Sequence, residues 1–346
     1  MDKRGVTMKV YFTLTDGIKN DEKNLNMLKL CLKSAKENTS LKLNALYDGI
    51  ENDNVHKIFL EYGVNVIFTK LSFADKIQKY YKNWKFENLL NSLTRMHGCF
   101  LKFDIALHEQ EEDVVLYSDI DTIFMRDIDW DKFANVKTLA VAPEFDRDEF
   151  AVIKGYKYFS AGIMLINIPE LKRRREELFY MLDNNVEPYQ ECWDQGFFNH
   201  LYKDDFEVMP FELNWKPYWG RNDNAIIVHV HGWKIGHELT EEAEDFCTGL
   251  LSRYKEAYEG ILYYNMLGYR YLNLDKDKEL SELGVYMAKC YAKMYNKQDR
   301  KKIFKISTFL LYICYRRTRK FSNVLFISKL HKYAEKKLIK RGVLIK

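Results

Sequence analysis

The chain has 346 residues, of which 47% are hydrophobic and 15% aromatic, so it can bury a large core in one large domain or two smaller ones. Its net charge of +4 hides an asymmetry, because residues 289–346 carry 18 Lys and Arg against two acidic residues. That segment has a charge of +16 and the rest of the chain −12, which predicts an anionic partner for the basic tail. We expect no nucleic-acid partner.

The cysteines argue against a disulfide framework and against a zinc site, because none of them forms a Cys-x-x-Cys pair. The six positions are Cys31, Cys99, Cys192, Cys247, Cys290 and Cys314. The apolar run near the start is too short for a secretory signal, and no later run is long enough to span a bilayer. Together these features predict a protein of the reducing cytoplasm.

Strands alternate with helices in the first part of the chain. Apolar and β-branched runs predict strands over residues 9–15, 41–47 and 63–69, and helical spacing predicts helices over 24–36 and 55–62. Such alternation predicts parallel pairing with right-handed crossovers. Because ligands bind beyond the carboxyl ends of strands in such sheets, polar residues at strand ends are the candidates for a site.

The middle of the chain continues this pattern with more aromatic residues. It predicts mostly helix over 75–107, strands over 138–142 and 159–168, helices over 170–182 and 193–201, and a strand over 224–230. Ala161 and Gly162 stand near the start of the second of these strands, which indicates close approach of another part of the molecule to the backbone.

Beyond about residue 241 the strand signals disappear and helical periodicity dominates. An apolar stripe formed by Ile306, Phe309, Leu310 and Ile313 is followed by a basic cluster that begins at Arg316. Such a basic amphipathic helix can lie on the anionic inner face of a membrane. A helical cap with its apolar face against the main domain explains the pattern equally well. We therefore predict two regions, 1–240 and a helical, basic region over 241–346.

The stretch over 114–124 (VVLYSDIDTIF) joins a buried strand to two acidic residues. Side chains two positions apart in an extended segment share a face, with Cα atoms roughly 6.6 Å apart, so Asp119 and Asp121 would point the same way and Ile120 into the core. Two like charges repel each other and resist desolvation, and a hard cation such as Mn²⁺ or Mg²⁺ relieves both costs. A merely polar strand end is the other interpretation that the tripeptide allows.

Four more motifs follow the Asp-x-Asp motif: the FSAG segment over 159–162, Asp194-Gln195, Asn214-Trp215, and HVHGWK over 229–234. Order and spacing together resemble the family-8 glycosyltransferases, which are retaining enzymes of the GT-A fold. The resemblance covers residues 10–237. It implies an α/β fold, with a Rossmann-like mixed sheet flanked by helices over 1–240 and a helical C-terminal extension.

The resemblance also implies a function. A hexose of glucose or galactose type would move from a UDP-sugar to a saccharide or glycolipid acceptor, in bacterial surface polysaccharide or lipopolysaccharide synthesis. Asp119, Asp121 and His229 would bind Mn²⁺ or Mg²⁺, and an imidazole beside two carboxylates suits Mn²⁺. Asp194 would bind sugar hydroxyls, and Gln195 would lie under the reacting carbon.

A further set of positions would contact the donor. The resemblance places Thr13 and Asp16 at the uridine, and Gly232 and Lys234 at the pyrophosphate, where glycine admits backbone N–H groups and lysine adds a charge. The other implied donor contacts are Lys102, Ile120, Ser160, Ala161 and Gly162.

Three positions depart from the pattern of the family. Lys102 stands where the family usually has Arg, seventeen residues before Asp119, and it lacks the bidentate fork of arginine. Ser160 replaces the usual Asn, which shortens a contact to the donor sugar and leaves the identity of that sugar open. Trp233 stands where proline is common, and its ring offers a stacking surface to an acceptor or to the body of the protein.

Two other functions stay open. Phosphohydrolases of the haloacid-dehalogenase type also carry a strand followed by Asp-x-Asp, with the first Asp as nucleophile. That motif prefers Thr or Val where this chain has Ile123, and no downstream Gly-Asp motif completes such a site. The third hypothesis is a non-catalytic binding module that keeps a glycosyltransferase-like fold. Loss of metal ligands would support it, and none is visibly lost in this sequence.

Overall fold

The structure is a computed structural model that describes residues 8–82, 89–188, 193–230, 248–254, 256–273, 290 and 336. Gly232, Lys234 and nearly all of the basic tail lie outside these ranges, as does the domain boundary predicted at residue 240. Contacts between Cα atoms divide the chain into two compact units. The first holds Met1–Asn214 and Ala225–His229, and the second holds Trp215–Asn224 and Val230–Lys346.

Among the described residues, the strands all belong to the first unit. They are β1 Lys9–Thr15, β2 Lys42–Asp48, β3 Asn65–Phe68, β4 Val114–Ser118, β5 Thr122–Phe124, β6 Leu139–Val141, β7 Ala151–Ile153, β8 Tyr156–Tyr158, β9 Ile163–Asn167, β10 Glu207–Val208 and β11 Ile227–His229. Seven of them form one sheet in the order β10-β6-β9-β4-β1-β2-β3. The other four strands form two separate antiparallel sheets of two strands each, β11 with β5 and β7 with β8.

The direction of β9 determines which residues lie beside the carboxyl end of β4. The pairs β3–β2, β2–β1, β1–β4 and β6–β10 are parallel, whereas β9 runs antiparallel to both of its neighbours, β4 and β6. Ile163 at the start of β9 therefore lies opposite Ser118 at the end of β4. As a result, the residues that precede β9 lie at the same edge as those that follow β4.

Helices of the first unit cover both faces of the sheet. They are α1 Glu22–Asn38, α2 Asn54–Tyr62, α3 Ala74–Tyr81, α4 Leu89–Phe100, α5 Ile105–His108, α6 Ile168–Asp183 and α7 Trp193–Tyr202. The second unit holds α8 Ala257–Leu272. Side chains cap several N-termini: Asp21 accepts from two backbone N–H groups of α1, Asp53 caps α2, and Asn167 caps α6. Pro169 stands in the first turn of α6, where its missing N–H costs nothing.

The alternation of side chains along β1 builds two cores. Val10, Phe12 and Leu14 face one side and pack with residues of α1 and α2. Tyr11 faces the other side and packs with residues of α3, α4, α6 and α7. Burial of both faces explains why this strand reads as a nearly continuous apolar run in the sequence.

In the second unit, α8 packs closely against the short turn Pro217–Trp219. A Cβ atom on Gly260 would lie 2.0 Å from the carbonyl oxygen of Pro217, so only glycine allows this approach. The Tyr264 hydroxyl accepts a hydrogen bond from the backbone N–H of Asn222 (3.0 Å). These contacts join α8 to residues that precede β11 in the sequence.

The prediction of a mixed α/β sheet flanked by helices is confirmed, and the predicted elements that fall on described residues agree with the structure within a few residues, whereas the short strands β5, β7, β8 and β10 were not predicted. Helix α1 extends two residues beyond the predicted 24–36 at each end. The predicted strand over 159–168 is shorter, because 159–162 precede β9 and Ile168 already begins α6. Among the described residues, no helix combines the length and hydrophobicity that crossing a bilayer requires.

Candidate active site

The Asp-x-Asp motif lies in a bend between β4 and β5 and not in an extended strand, so that part of the sequence prediction is wrong. The hydroxyls of Ser118 and Thr122 both donate to the backbone carbonyl of Asp119, at 2.9 and 3.0 Å. The backbone N–H of Asp119 donates to the carbonyl of Gly162 at 2.7 Å. These bonds fix the bend and attach it to the start of β9.

His229 reaches the acidic pair through the pairing of β11 with β5. In that pairing His229 lies opposite Thr122, the residue next to Asp121. The Nε2 atom of His229 is 3.3 Å from Oδ1 of Asp121, and both side chains are buried. One ligand atom each from Asp119, Asp121 and His229 lies within 4.8 Å of the others. The structure thus brings the three predicted metal ligands together.

The chemistry and spacing of this cluster fit a divalent cation. Octahedral ions with bonds of about 2.1 Å place opposite ligand atoms about 4.2 Å apart and adjacent ones about 3 Å apart. The 3.3 Å between Nε2 of His229 and Oδ1 of Asp121 falls in this range. Two carboxylate oxygens and one imidazole nitrogen are a donor set that Mn²⁺ accepts more readily than Mg²⁺. A Cβ atom on Gly162 would lie 2.3 Å from Cε1 of His229 and 2.8 Å from Oδ2 of Asp119. The backbone of Gly162 therefore forms one wall of the cluster, as the sequence indicated.

Gly162→Ala is expected to weaken Mn²⁺ binding by at least about tenfold (~1.4 kcal/mol), because the new methyl group displaces both His229 and Asp119. Isothermal titration calorimetry with Mn²⁺ measures the effect. Gly249→Ala is the matched control, since a Cβ atom at Gly249 meets nothing within 4 Å. Equal affinities for the wild type and the Gly162→Ala variant would contradict the role of this wall.

A buried lysine joins the acidic pair to the Asp-Gln motif. The Nζ atom of Lys102 is 2.6 Å from Oδ2 of Asp194, 3.6 Å from Oδ1 of Asp119 and 3.2 Å from the carbonyl oxygen of Ala161. It also lies 4.3 Å from the centre of the Tyr117 ring. Burial alone would lower the pKa of Lys102, but the two carboxylates outweigh it and hold that pKa well above its usual value. Lys102 is therefore a fixed positive charge that faces inward.

Tyr117 is a contact of the site that the sequence interpretation missed. Its hydroxyl donates to Oδ1 of Asp119 at 2.5 Å and lies 3.4 Å from Oγ1 of Thr13. Burial and then the charge of Asp119 raise the pKa of Tyr117 well above its usual value, so the phenol keeps its proton. The sequence could have indicated this contact, because Tyr117 stands two residues before Asp119 and residues at that spacing on a strand share a face.

The amide of Gln195 is held at both ends. Its Oε1 accepts from the backbone N–H of Ala161 at 2.8 Å, and its Nε2 donates to the Tyr158 hydroxyl at 3.0 Å. Because a backbone N–H can only donate, the orientation of this amide is determined. Next to Ala161, the buried Ser160 hydroxyl has no hydrogen-bond partner among the described residues. Tyr158 lies on the β7–β8 hairpin, and nothing in the sequence connects it to Gln195.

The remaining predicted contacts lie at the same end of the sheet. Thr13 uses its hydroxyl to donate to the carbonyl of Gly98 at 2.9 Å. Asp16, just past β1, forms an ion pair with Lys19 at 2.6 Å on the partly exposed surface. Ile120 is partly buried and packs against the core on the α1 side of the sheet. None of these three contacts involves the carboxylate pair directly.

Comparison with known proteins gives similarity at the level of solved structures only. No protein-family model matches the sequence, and a search of curated proteins gave no match. The solved structures that are similar include the galactosyltransferase LgtC in complex with donor and acceptor sugar analogs, at 18% identity over 71% of this chain and 96% of that chain (TM-score 0.47). Mouse xyloside xylosyltransferase 1 matches at 15% identity over 65% of this chain and 97% of that chain (TM-score 0.45). The glycosyltransferase GlyE of Streptococcus pneumoniae matches at 18% identity over 64% of this chain and 54% of that chain (TM-score 0.43).

Proposed function

We propose that this chain is a retaining glycosyltransferase of the GT-A type that moves a hexose from a UDP-sugar to a hydroxyl of a saccharide or glycolipid acceptor. The observation that carries the proposal is the cluster of Asp119, Asp121 and His229 at the carboxyl end of β4. That is the edge at which α/β sheets bind their ligands. The buried pair of Lys102 and Asp194 next to this cluster adds a second set of polar groups, as a sugar-binding site needs.

Each part of the site has a role in this proposal. Asp119, Asp121 and His229 would hold Mn²⁺ or Mg²⁺. When bound, such an ion supplies positive charge that stabilises the diphosphate leaving group. Asp194, held by Lys102, would bind hydroxyls of the donor sugar, and Gln195 would lie under the anomeric carbon. Transfer breaks the bond between that carbon and the diphosphate oxygen and forms one to the acceptor oxygen.

The bonds of Gln195 bear on its proposed role. Its carbonyl oxygen is engaged by the Ala161 N–H, so the amide is already oriented without any ligand. A preorganised dipole of this kind needs no reorganisation during the reaction. The Ser160 hydroxyl is buried next to Ala161 and has no partner among the described residues, so it would meet a bound sugar only if its side chain turned toward the donor. Burial of that hydroxyl without a partner carries a cost that a sugar hydroxyl would remove.

The experiment that tests the proposal measures UDP release from UDP-glucose, UDP-galactose and related donors, without an acceptor, in Mn²⁺ and then in EDTA. We expect slow hydrolysis of one donor that stops in EDTA, because water replaces the acceptor and the metal site is emptied. Failure of every donor, together with no calorimetric binding of UDP in the presence of Mn²⁺, would contradict the proposal.

A phosphohydrolase of the haloacid-dehalogenase type is the second candidate. Among the described residues, the group that completes a metal site with Asp119 and Asp121 is the imidazole of His229, and not the downstream carboxylate that such enzymes use. This donor set favours the transferase. Metal-dependent release of phosphate from p-nitrophenyl phosphate, without release of UDP from any donor, would reverse that preference.

A further inference from the structure

Asn214 is a buried polar side chain beside the proposed metal site. It is fully buried at the end of the turn Phe211–Asn214, and its Oδ1 lies 3.2 Å from Nδ1 of His229. Its Nδ2 has no hydrogen-bond partner among the described residues. Burial of an amide without full hydrogen bonding costs free energy, and a leucine of similar size would avoid that cost. The contact with His229 is therefore the feature that needs an explanation.

Rigid elements hold the two side chains against each other. The carbonyl of Glu212, within the turn that ends at Asn214, accepts from the backbone N–H of Ile226 at 2.8 Å, next to the start of β11. Strand β11 in turn pairs with β5, so His229 and the turn belong to one hydrogen-bonded assembly. The Gly162 backbone lies close to Cε1, the ring carbon between the two nitrogens of His229. The position of the imidazole ring is thus fixed by its surroundings.

The chemistry of the two groups determines which ring nitrogen carries the proton. Oδ1 of an asparagine only accepts hydrogen bonds, so the His229 nitrogen that faces it carries the hydrogen. In the neutral imidazole this leaves the lone pair on Nε2, the nitrogen that lies 3.3 Å from Oδ1 of Asp121. A lone pair and a carboxylate oxygen at that distance repel each other unless a proton or a metal cation lies between them.

We propose that Asn214 is a positioning residue: it fixes the tautomer and orientation of His229 so that Nε2 is presented to the metal ion. This inference rests on the proposed metal role of His229. Ligating histidines generally donate their other N–H to an oxygen, and loss of such a partner costs about 10- to 100-fold in metal affinity. Asn214 supplies that oxygen here, and it makes no contact with the ion itself.

Two substitutions separate this role from simple space filling. Asn214→Leu keeps the volume and removes the acceptor, whereas Asn214→Asp keeps an acceptor oxygen at the same place. We expect Asn214→Leu to bind Mn²⁺ about 10- to 100-fold more weakly than wild type, and Asn214→Asp to bind it at least as tightly. Asn265→Leu is the matched control, because Asn265 is an equally buried asparagine in the other compact unit.

The measurements are calorimetric titration of the full chain with Mn²⁺ alone and pulsed EPR of the Mn²⁺ complex. The EPR spectrum of wild type should show coupling to a directly bound imidazole ¹⁴N, and the coupling should be reduced in Asn214→Leu and kept in Asn214→Asp. A wild-type affinity and spectrum in Asn214→Leu would overturn the inference and leave the metal site intact. If Asn214→Leu does not fold, weaker binding by Asn214→Asp than by wild type would overturn it. Absence of Mn²⁺ binding by wild type would overturn the metal role and the inference together.

Discussion

Asp121→Asn is expected to lower metal-dependent release of UDP from the best donor by about 10³-fold (~4 kcal/mol), with little change in stability. The asparagine keeps the size of the side chain and one oxygen but loses the negative charge. Oδ1 of Asp121 faces Nε2 of His229 at 3.3 Å, so the charge that would attract the ion between these two atoms is lost. Steady-state kinetics at saturating Mn²⁺ and calorimetry of Mn²⁺ binding measure the two effects separately.

The matched control for this substitution is Asp131→Asn, at an exposed position of the first unit. It makes the same chemical change away from the cluster, so turnover and Mn²⁺ affinity should equal those of wild type. Full turnover by Asp121→Asn, together with an unchanged Mn²⁺ requirement, would show that Asp121 is not a metal ligand. A tenfold rise in the Mn²⁺ concentration needed for half-maximal rate, with an unchanged maximal rate, would reduce its role to metal binding alone.

The sequence predicted that Asp119, Asp121 and His229 come together: the two acidic residues because they follow a strand, and His229 through the family resemblance. Asp119 and Asp121 come directly after β4, and His229 ends β11. Strand ends are readable from apolar periodicity, and the family resemblance added the order of the motifs. The pairing partners were not readable: the contact of His229 with Asp121 depends on the β11–β5 register, which forms between residues about a hundred positions apart.

The contacts that the sequence did not reveal depend on side-chain direction. Lys102 was expected to face the donor, yet its ammonium group is enclosed by Asp194, Asp119 and a backbone carbonyl. The direction of a lysine in an apolar segment cannot be deduced from spacing, because its four-carbon chain reaches either way. Tyr158 and Gln195 meet through a hairpin whose placement is a tertiary effect. The bend at the Asp-x-Asp motif likewise comes from hydroxyl bonds that local propensity does not encode.

Lys102→Met is expected to lower the free energy of unfolding by about 3–5 kcal/mol, because it leaves Asp194 buried beside Asp119 without a cation. Methionine fills nearly the same volume, so the loss measures charge and hydrogen bonding and not a cavity. Urea denaturation of the two proteins tests this result. Lys132→Met is the control: Lys132 is exposed and 4.0 Å from Asp129, so that pair contributes only about 0–1 kcal/mol. A wild-type urea midpoint for Lys102→Met would contradict the expectation.

The double variant Lys102→Met/Asp194→Leu separates the structural role of the pair from its proposed role in transfer. Removal of both charges eliminates the unpaired carboxylate, so most of the lost stability should return. UDP release should stay reduced on the order of 10²-fold or more, because no carboxylate remains to bind the donor sugar. Recovery of turnover along with stability in the double variant would show that the pair only supports the fold, and that donor binding depends on other groups of the site.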